Sequence, residues 1–161
     1  MPKDLEAERI PVSVYIETDY DVQTVRQDNL KGVFTLFSQL RNHLTFEDFE
    51  FFFQDATENN AYQLFSFSLN GDYIALVGLR PYCDFVRGKH VYVDDLVVDE
   101  RHRSKGLGSH LLKWIDAYAK QNNFKCVRLS TGVDNPQAKK FYTDNAYTHK
   151  AIVFCKKVPS S

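Results

Sequence analysis

The sequence predicts a mixed α/β fold in which strands and helices do not follow a regular βαβ alternation. Three observations lead there. Apolar residues alternate with period two in some stretches and with a helical period in others. An Asn70-Gly71 pair sits between two apolar runs, the strongest short hairpin signal. A glycine-containing segment, residues 103–108, separates a strand pattern from a helix pattern.

The elements follow in order. Val12 to Ile16 alternates and reads as a strand. Val22, Val25, Val33, Leu36, Phe37 and Leu40 form one stripe, so about 21–43 reads as amphipathic helix, interrupted or not at Gly32. Thr45 followed by Asp48 supplies a hydroxyl cap and an acid three residues on, opening a second helix that carries Phe46, Phe49, Phe52 and Phe53. Ala61–Leu69 and Tyr73–Leu79 are the two arms of the hairpin, and Val91–Val98 is a third strand in this region. A helix is expected over about 106–121, with Leu107, Leu111, Trp114, Ile115 and Tyr118 on one face. Cys126–Ser130 reads as a strand. Asn135-Pro136 starts a short helix, with an Asn cap and Pro at the first helical position. Residues 147–157 read as a closing strand.

Composition narrows the class. The chain has 161 residues, 43% hydrophobic and 25% charged, with 13 Phe, 9 Tyr and 1 Trp. That is ordinary globular composition for one domain over 1–161, its core spanning about 11–158. No apolar run approaches the roughly 18 residues of a membrane span. No secretory leader is read at the N-terminus, and three widely spaced cysteines offer no disulfide framework, so a cytoplasmic protein is expected. The five histidines show no ligand spacing, and no metal is expected.

The net charge of −1 hides a split. Residues 1–100 carry 8 Lys/Arg against 18 Asp/Glu, a net of −10, while residues 101–161 carry 12 against 3, a net of +9. Either the halves pair with one another, or the acidic one favours a cation and the basic one a polyanion. Nucleic acid is the weaker choice of polyanion, because the bases are dispersed and the pI is near 6.5.

One segment has the form of a site. In Arg103-Ser104-Lys105-Gly106-Leu107-Gly108 two glycines precede a helix whose first turn leaves N–H groups without intrahelical partners. The helix dipole and two basic side chains make this an anion site of the size of a pyrophosphate. A plain structural turn would use the same glycines. The sequence lacks a P-loop, a Gly-x-Gly-x-x-Gly fingerprint (position 111 is Leu) and a Gly-x-Ser-x-Gly elbow.

The segment from Val91 through Asp94-Asp95-Leu96-Val97-Val98 to Arg103-Ser104-Lys105-Gly106-Leu107-Gly108 resembles the acetyl-CoA motif of the GCN5-related N-acetyltransferase (GNAT) superfamily. In that motif a strand is followed by Gln/Arg-x-x-Gly-x-Gly/Ala opening a helix. Asp134-Asn135-Pro136 and Lys140-Phe141-Tyr142 are similar to the family's second signature. Two departures occur: Ser104 precedes Lys105 where a glycine is usual, and Ala146-Tyr147 replaces a frequent Gly-Phe. The resemblance implies the GNAT fold, a central mixed, mostly antiparallel sheet flanked by helices.

It also implies roles. The backbones of Leu96, Val97 and Val98 would pair with the pantetheine arm of acetyl-CoA as an added strand and polarise the thioester carbonyl. Arg103, Ser104, Lys105, Gly106, Leu107, Gly108 and Ser109 would hold the pyrophosphate. Asn135 would cap its helix and touch the cofactor arm. Tyr142 would also touch the cofactor and act as general acid toward the leaving thiolate, or else simply pack beside Phe141. Asp94 and Asp95 are candidates for the base, Asp94 ahead because relatives acting on polyamines carry an acid there. Strand alternation turns the two acids opposite ways.

The reading is an acyl-CoA-dependent N-acetyltransferase that moves an acetyl group to a primary amine by direct attack. A small cationic acceptor stands ahead of a protein N-terminus or lysine. A non-catalytic acyl-CoA sensor of the same fold is the other class, and a homodimer is left open.

Overall fold

A computed structural model describes residues 20–160. The expected strand at Val12–Ile16 lies outside the described residues. The chain forms two compact units, the first ending at Arg128 and the second beginning at Leu129.

The first unit contains strands β1 (Asp21–Thr24), β2 (Gln63–Leu69), β3 (Asp72–Asp84), β4 (Gly88–Val98) and β5 (Val127–Arg128). Its helices are α1 (Leu30–Ser38), α2 (Phe46–Asn60) and α3 (Leu107–Gln121). The strands form one sheet in the order β1-β2-β3-β4-β5. The first three pairings are antiparallel and β4–β5 is parallel. This is the mixed, mostly antiparallel sheet that the resemblance implied.

Residues 21–24 correct the expected long helix: they pair antiparallel with β2, Val22 opposite Phe67, and the helix occupies only 30–38. Val22 and Val25 are three residues apart, which fits a helix stripe as well as a strand followed by a turn. The ladder with β2 decided between them. Gly32 does not interrupt α1; a Cβ there would meet the Tyr73 ring at 3.3 Å, so its smallness serves packing.

Local signals held elsewhere. The Thr45 hydroxyl accepts from the Asp48 amide at 3.1 Å, and Asp48 accepts from the Thr45 amide at 3.3 Å, the reciprocal cap that starts α2. Asn70 and Gly71 both have positive φ, 51° and 86°, as a two-residue hairpin turn of the primed type requires. The third strand starts at Gly88 and the second arm of the hairpin runs on to Asp84, so both are longer than their apolar patterns.

The sheet buries both faces. On one, Leu64, Leu76 and Val97 pack with Val33 and Phe37 of α1 and Phe49 and Phe53 of α2. On the other, Trp114 of α3 stands edge-on to Phe65 at 5.0 Å and to Phe67 at 5.1 Å. Each fully buried side chain of this kind is worth roughly 1.5–3 kcal/mol.

The second unit holds α4 (Pro136–Asp144). Asn135 Oδ1 accepts from the Ala138 amide at 3.0 Å and Pro136 takes the first helical position, as expected. The strand expected over 147–157 does not form. These residues are irregular, those after Tyr147 are exposed, and Ile152 and Phe154 are 71% and 93% accessible. An apolar run becomes a strand only with a ladder partner, and none pairs with it among the described residues. No helix among the described residues is long and apolar enough to cross a membrane.

Candidate active site

The segment between β4 and α3 is tied down at several points. Asp99 accepts from the Arg101 amide at 2.8 Å and from its guanidinium at 3.0 and 2.9 Å, which holds the Asp99 carboxyl down at about 2. Arg103 donates Nε to the Val98 carbonyl at 3.0 Å, and Lys105 Nζ reaches the Arg101 carbonyl at 3.4 Å. Ser104 and Gly106 take left-handed φ values of 62° and 78°. A Cβ on Gly106 would meet nothing within 4 Å among the described residues, so the preference for glycine there comes from the backbone conformation. Gly106 is the N-cap of α3 and caps it with no side chain. The amides of Leu107, Gly108 and Ser109 therefore lack intrahelical acceptors. Leu107 itself is a core residue, 5% exposed, and offers only its backbone.

At the start of this loop the Asp99 amide donates to Ile74 of β3 at 2.8 Å. Alternation then turns the amides of Val98 and Leu96 to the other edge of β4. On that edge, among the described residues, the β4–β5 ladder joins Val91 to Val127 and Tyr92 to Arg128. Val97 is a buried core residue, 4% exposed.

The acidic pair departs from simple alternation. In the β3–β4 ladder Gly78 faces Asp95 while Leu79 faces Val93, so Asp94 is the extra residue of a β-bulge. Both carboxylates consequently join one cluster. Asp95 is 8% exposed; its Oδ1 accepts Nε and Nη2 of Arg41 at 3.1 and 2.9 Å, and its Oδ2 accepts the Tyr62 hydroxyl at 2.7 Å. Asp94 Oδ2 accepts Arg80 Nε at 3.0 Å, and its Oδ1 has no partner among the described residues. Burial pushes the Asp94 carboxyl up and outweighs Arg80, with the Asp95 charge adding to the rise. Burial, then the Asp95 carboxylate, raises the Tyr62 phenol well above its ordinary value, so it remains a donor. The expectation of simple alternation at the two acids is thus corrected: Asp94 is itself the extra residue of the bulge and has no register partner on β3, whereas Asp95 faces Gly78.

Arg41, Tyr62 and Arg80 were not singled out in the sequence. Their partners lie 54, 33 and 14 residues away, and no local pattern marks such pairs. Gly78, inside an apolar strand run, was the one available signal of a close approach.

In the second unit Tyr142 lies in α4, with ring centroids 5.2 Å from Phe141 and 5.7 Å from Tyr147. Burial raises its phenol, which keeps the hydroxyl protonated at neutral pH. Asn135 is the cap of the same helix. The sequence-predicted residues thus divide between the units: Asp94 to Val98 and the 103–109 loop in the first, Asn135 and Tyr142 in the second.

In the first unit a bulged strand is thus followed by a loop whose first helical amides lack intrahelical acceptors. Residues 29–147 match the family model of the acetyltransferase (GNAT) family. The chain is 31% identical over 126 residues to the uncharacterized N-acetyltransferase YhdJ of Bacillus subtilis (strain 168), covering 78% of this chain and 89% of that one. It also resembles the solved structure of a possible acetyltransferase from Clostridium difficile 630, with TM-score 0.75 and 17% identity, over 88% of this chain and 99% of that chain. Glucosamine-6-phosphate N-acetyltransferase from Arabidopsis thaliana gives TM-score 0.66 and 23% identity, over 87% and 99%. The chain belongs to the GNAT acetyltransferase family. It is an acyl-CoA-dependent acetyltransferase.

The family's co-substrate, acetyl-CoA, fits the residues present. The α3 amides beside Gly106 suit a pyrophosphate, and the Leu96 and Val98 amides, turned away from β3, suit an amide-bearing arm.

Proposed function

We propose that this enzyme takes the acetyl group from acetyl-CoA and places it on a primary amine of a small cationic molecule by direct attack. The observation that carries the reading is Asp94: a half-buried carboxyl on the bulge, anchored through one oxygen and raised toward neutrality. A base whose affinity for protons lies nearer the working pH transfers them more effectively. Asp94 takes the proton of the acceptor ammonium at Oδ1, directly or through a water. The amides of Leu96 and Val98 bind the arm and polarise the reacting carbonyl, and those of Leu107, Gly108 and Ser109 bind phosphate. Bound acetyl-CoA supplies an acetyl group activated as a thioester. Tyr142 holds a proton at its hydroxyl for the departing sulfur.

The net charge of −10 over the first hundred residues favours a cationic acceptor. We read the two units as parts of one acetyltransferase domain, because the family match runs through both. Free thiols at Cys83, Cys126 and Cys155 support a cytoplasmic setting.

Release of thiol from acetyl-CoA, measured across polyamines, aminoglycosides, amino acids and peptides, tests the reading. Small polycations should give the highest kcat/KM. A peptide amine ahead of all of them would overturn the acceptor class, and binding without thiol release from any amine would make the protein a sensor.

A further inference from the structure

Asp94 and Asp95 are chemically identical and adjacent, yet their surroundings divide the work between them. Asp95 has both oxygens engaged, by three hydrogen bonds from Arg41 and Tyr62, and is nearly closed to solvent. Asp94 has one oxygen engaged, and the other has no partner among the described residues. We infer that Asp95 is a positioning residue: held by Arg41 and Tyr62, it fixes the β4 bulge so that Asp94 alone presents an oxygen for proton transfer. This rests on the reading of Asp94 as the base.

The contacts reach both residues of the bulge. The same Arg41 nitrogen that binds Asp95 Oδ1 also donates to the Asp94 carbonyl at 3.0 Å, so one guanidinium spans the backbone of the first acid and the side chain of the second. A planar fork suits such a bridge, and an ammonium would not span it. Tyr62 acts twice. Its hydroxyl donates to Asp95, and its ring lies under the Arg80 guanidinium, 5.9 Å from centroid to carbon. Arg80 in turn orients Asp94 Oδ2. The carboxylate of Asp94 is thereby aimed by a chain that begins at Asp95 and returns through Tyr62 and Arg80.

Room for this chain comes from Gly78, which faces Asp95 across the ladder. A Cβ at position 78 would lie 2.8 Å from Asp95 Oδ2 and would collide with the Tyr62 hydroxyl. Among the described residues, the charged and titratable groups acting on Asp94 are Arg80 from β3, Arg41 from the segment after α1, Tyr62 from the segment before β2, and Asp95 beside it. The Asp95 charge disfavours ionisation of Asp94, and both arginines favour it.

The test follows Asp94 by carboxyl-carbon NMR titration and by pH profiles of kcat and KM, in the intact protein with acetyl-CoA and the best amine of the panel. Parent, Asp94→Asn, Asp95→Asn and Tyr62→Phe are compared. Asp95→Asn should move the Asp94 titration, and the acidic limb of the rate, to lower pH, because a negative neighbour is gone. It should also lower the plateau kcat about tenfold with KM changed less than about twofold, within the ~100-fold that a misplacement of 1 Å can cause. Tyr62→Phe keeps the ring under Arg80 and loses only the hydroxyl; kcat should fall severalfold with the circular dichroism spectrum intact. An Asp94 titration and kcat both unmoved by Asp95→Asn and Tyr62→Phe would overturn the inference. So would loss of the acidic limb in Asp95→Asn with its retention in Asp94→Asn, since the roles would then be reversed. If Asp94→Asn keeps the limb while Asp95→Asn still shifts the Asp94 titration, the positioning contacts stand and the reading of Asp94 as base fails.

Discussion

Gln39, just past the end of α1, accepts through its Oε1 the backbone amide of Glu100 at 3.0 Å, and Arg103 Nη2 approaches the same oxygen at 3.4 Å. One side chain at the C-terminal cap of α1 therefore pins the loop that leaves β4, from 61 residues away. The loop's free amides are positioned from outside as well as by its own turns.

Gln39→Ala should release that loop. Loss of a hydrogen bond of this kind is worth about 1 kcal/mol, which for a chain of this size lowers Tm by roughly 2–4 °C. Hydrogen exchange at the Glu100 amide should accelerate in parallel. An unchanged exchange rate there would mean that Gln39 does not hold the loop.

Substitution of the loop glycines should separate conformation from ligand approach. Gly106→Ala meets no neighbour but forces a side chain into a left-handed φ of 78°, a strain of about 1–2 kcal/mol readable as a lower melting temperature. Gly108→Val places a branched side chain in the first turn of α3 and should weaken acetyl-CoA binding at least tenfold, about 1.4 kcal/mol, in calorimetry. Full affinity in Gly108→Val would sink the assignment of the pyrophosphate to this loop.

Tyr142→Phe removes a hydroxyl and almost no volume. Turnover should fall by about 10²–10⁴-fold with acetyl-CoA affinity retained. The sign of the pH effect follows from burial. The phenol must be protonated to act and its ionisation is raised, so activity attributable to it should persist through neutral pH and fall only above the ordinary phenol range. A turnover number within about twofold of the parent would leave Tyr142 a packing residue beside Phe141.

Asp99 predicts an acid-side loss of stability. Its carboxyl is held at about 2, below the ordinary value of 3.8, by hydrogen bonds from Arg101. A depressed carboxyl contributes stability above its unfolded value and loses it as pH falls through the folded one. The parent should therefore exceed Asp99→Asn in denaturant midpoint at pH 6, and the difference should shrink between pH 4 and about 2. A gap that stays constant over that range would contradict the pairing with Arg101.

Elements whose signals are local were legible in the sequence: the Asn70-Gly71 turn, the Thr45 cap, the Asn135-Pro136 start of α4 and the strand-loop-helix of residues 91–121. Each depends on residues within a few positions of one another. The acids Asp94 and Asp95 were named as candidates from the sequence, but the bulge that gives them different surroundings was not foreseen. It depends on Gly78 and Tyr62, which approach Asp95 only when three strands are in register. Two apolar patterns misled for the same reason. Val22 was assigned to a helix although β2 makes it a strand, and residues 147–157 hold an apolar run but form no strand. Period alone describes a face; pairing decides whether that face is used.

Gly78, Tyr62 and Asp95 also constrain the order in which this sequence can change. A Cβ at 78 would come within 2.8 Å of the ring carbon Cε2 of Tyr62 as well as of Asp95, so exchanging Tyr62 for Phe does not make room for it. Gly78→Ala as a first step passes through an overpacked intermediate, with a loss of about 1–3 kcal/mol. Shrinking residue 62 first removes the two Tyr62 contacts and leaves the Asp95 carboxylate oxygen, at 2.8 Å, as the one group that must still give way. Because they share these contacts, substitutions at 78 and 62 should be non-additive, and the cost of Gly78→Ala should depend on which residue stands at 62.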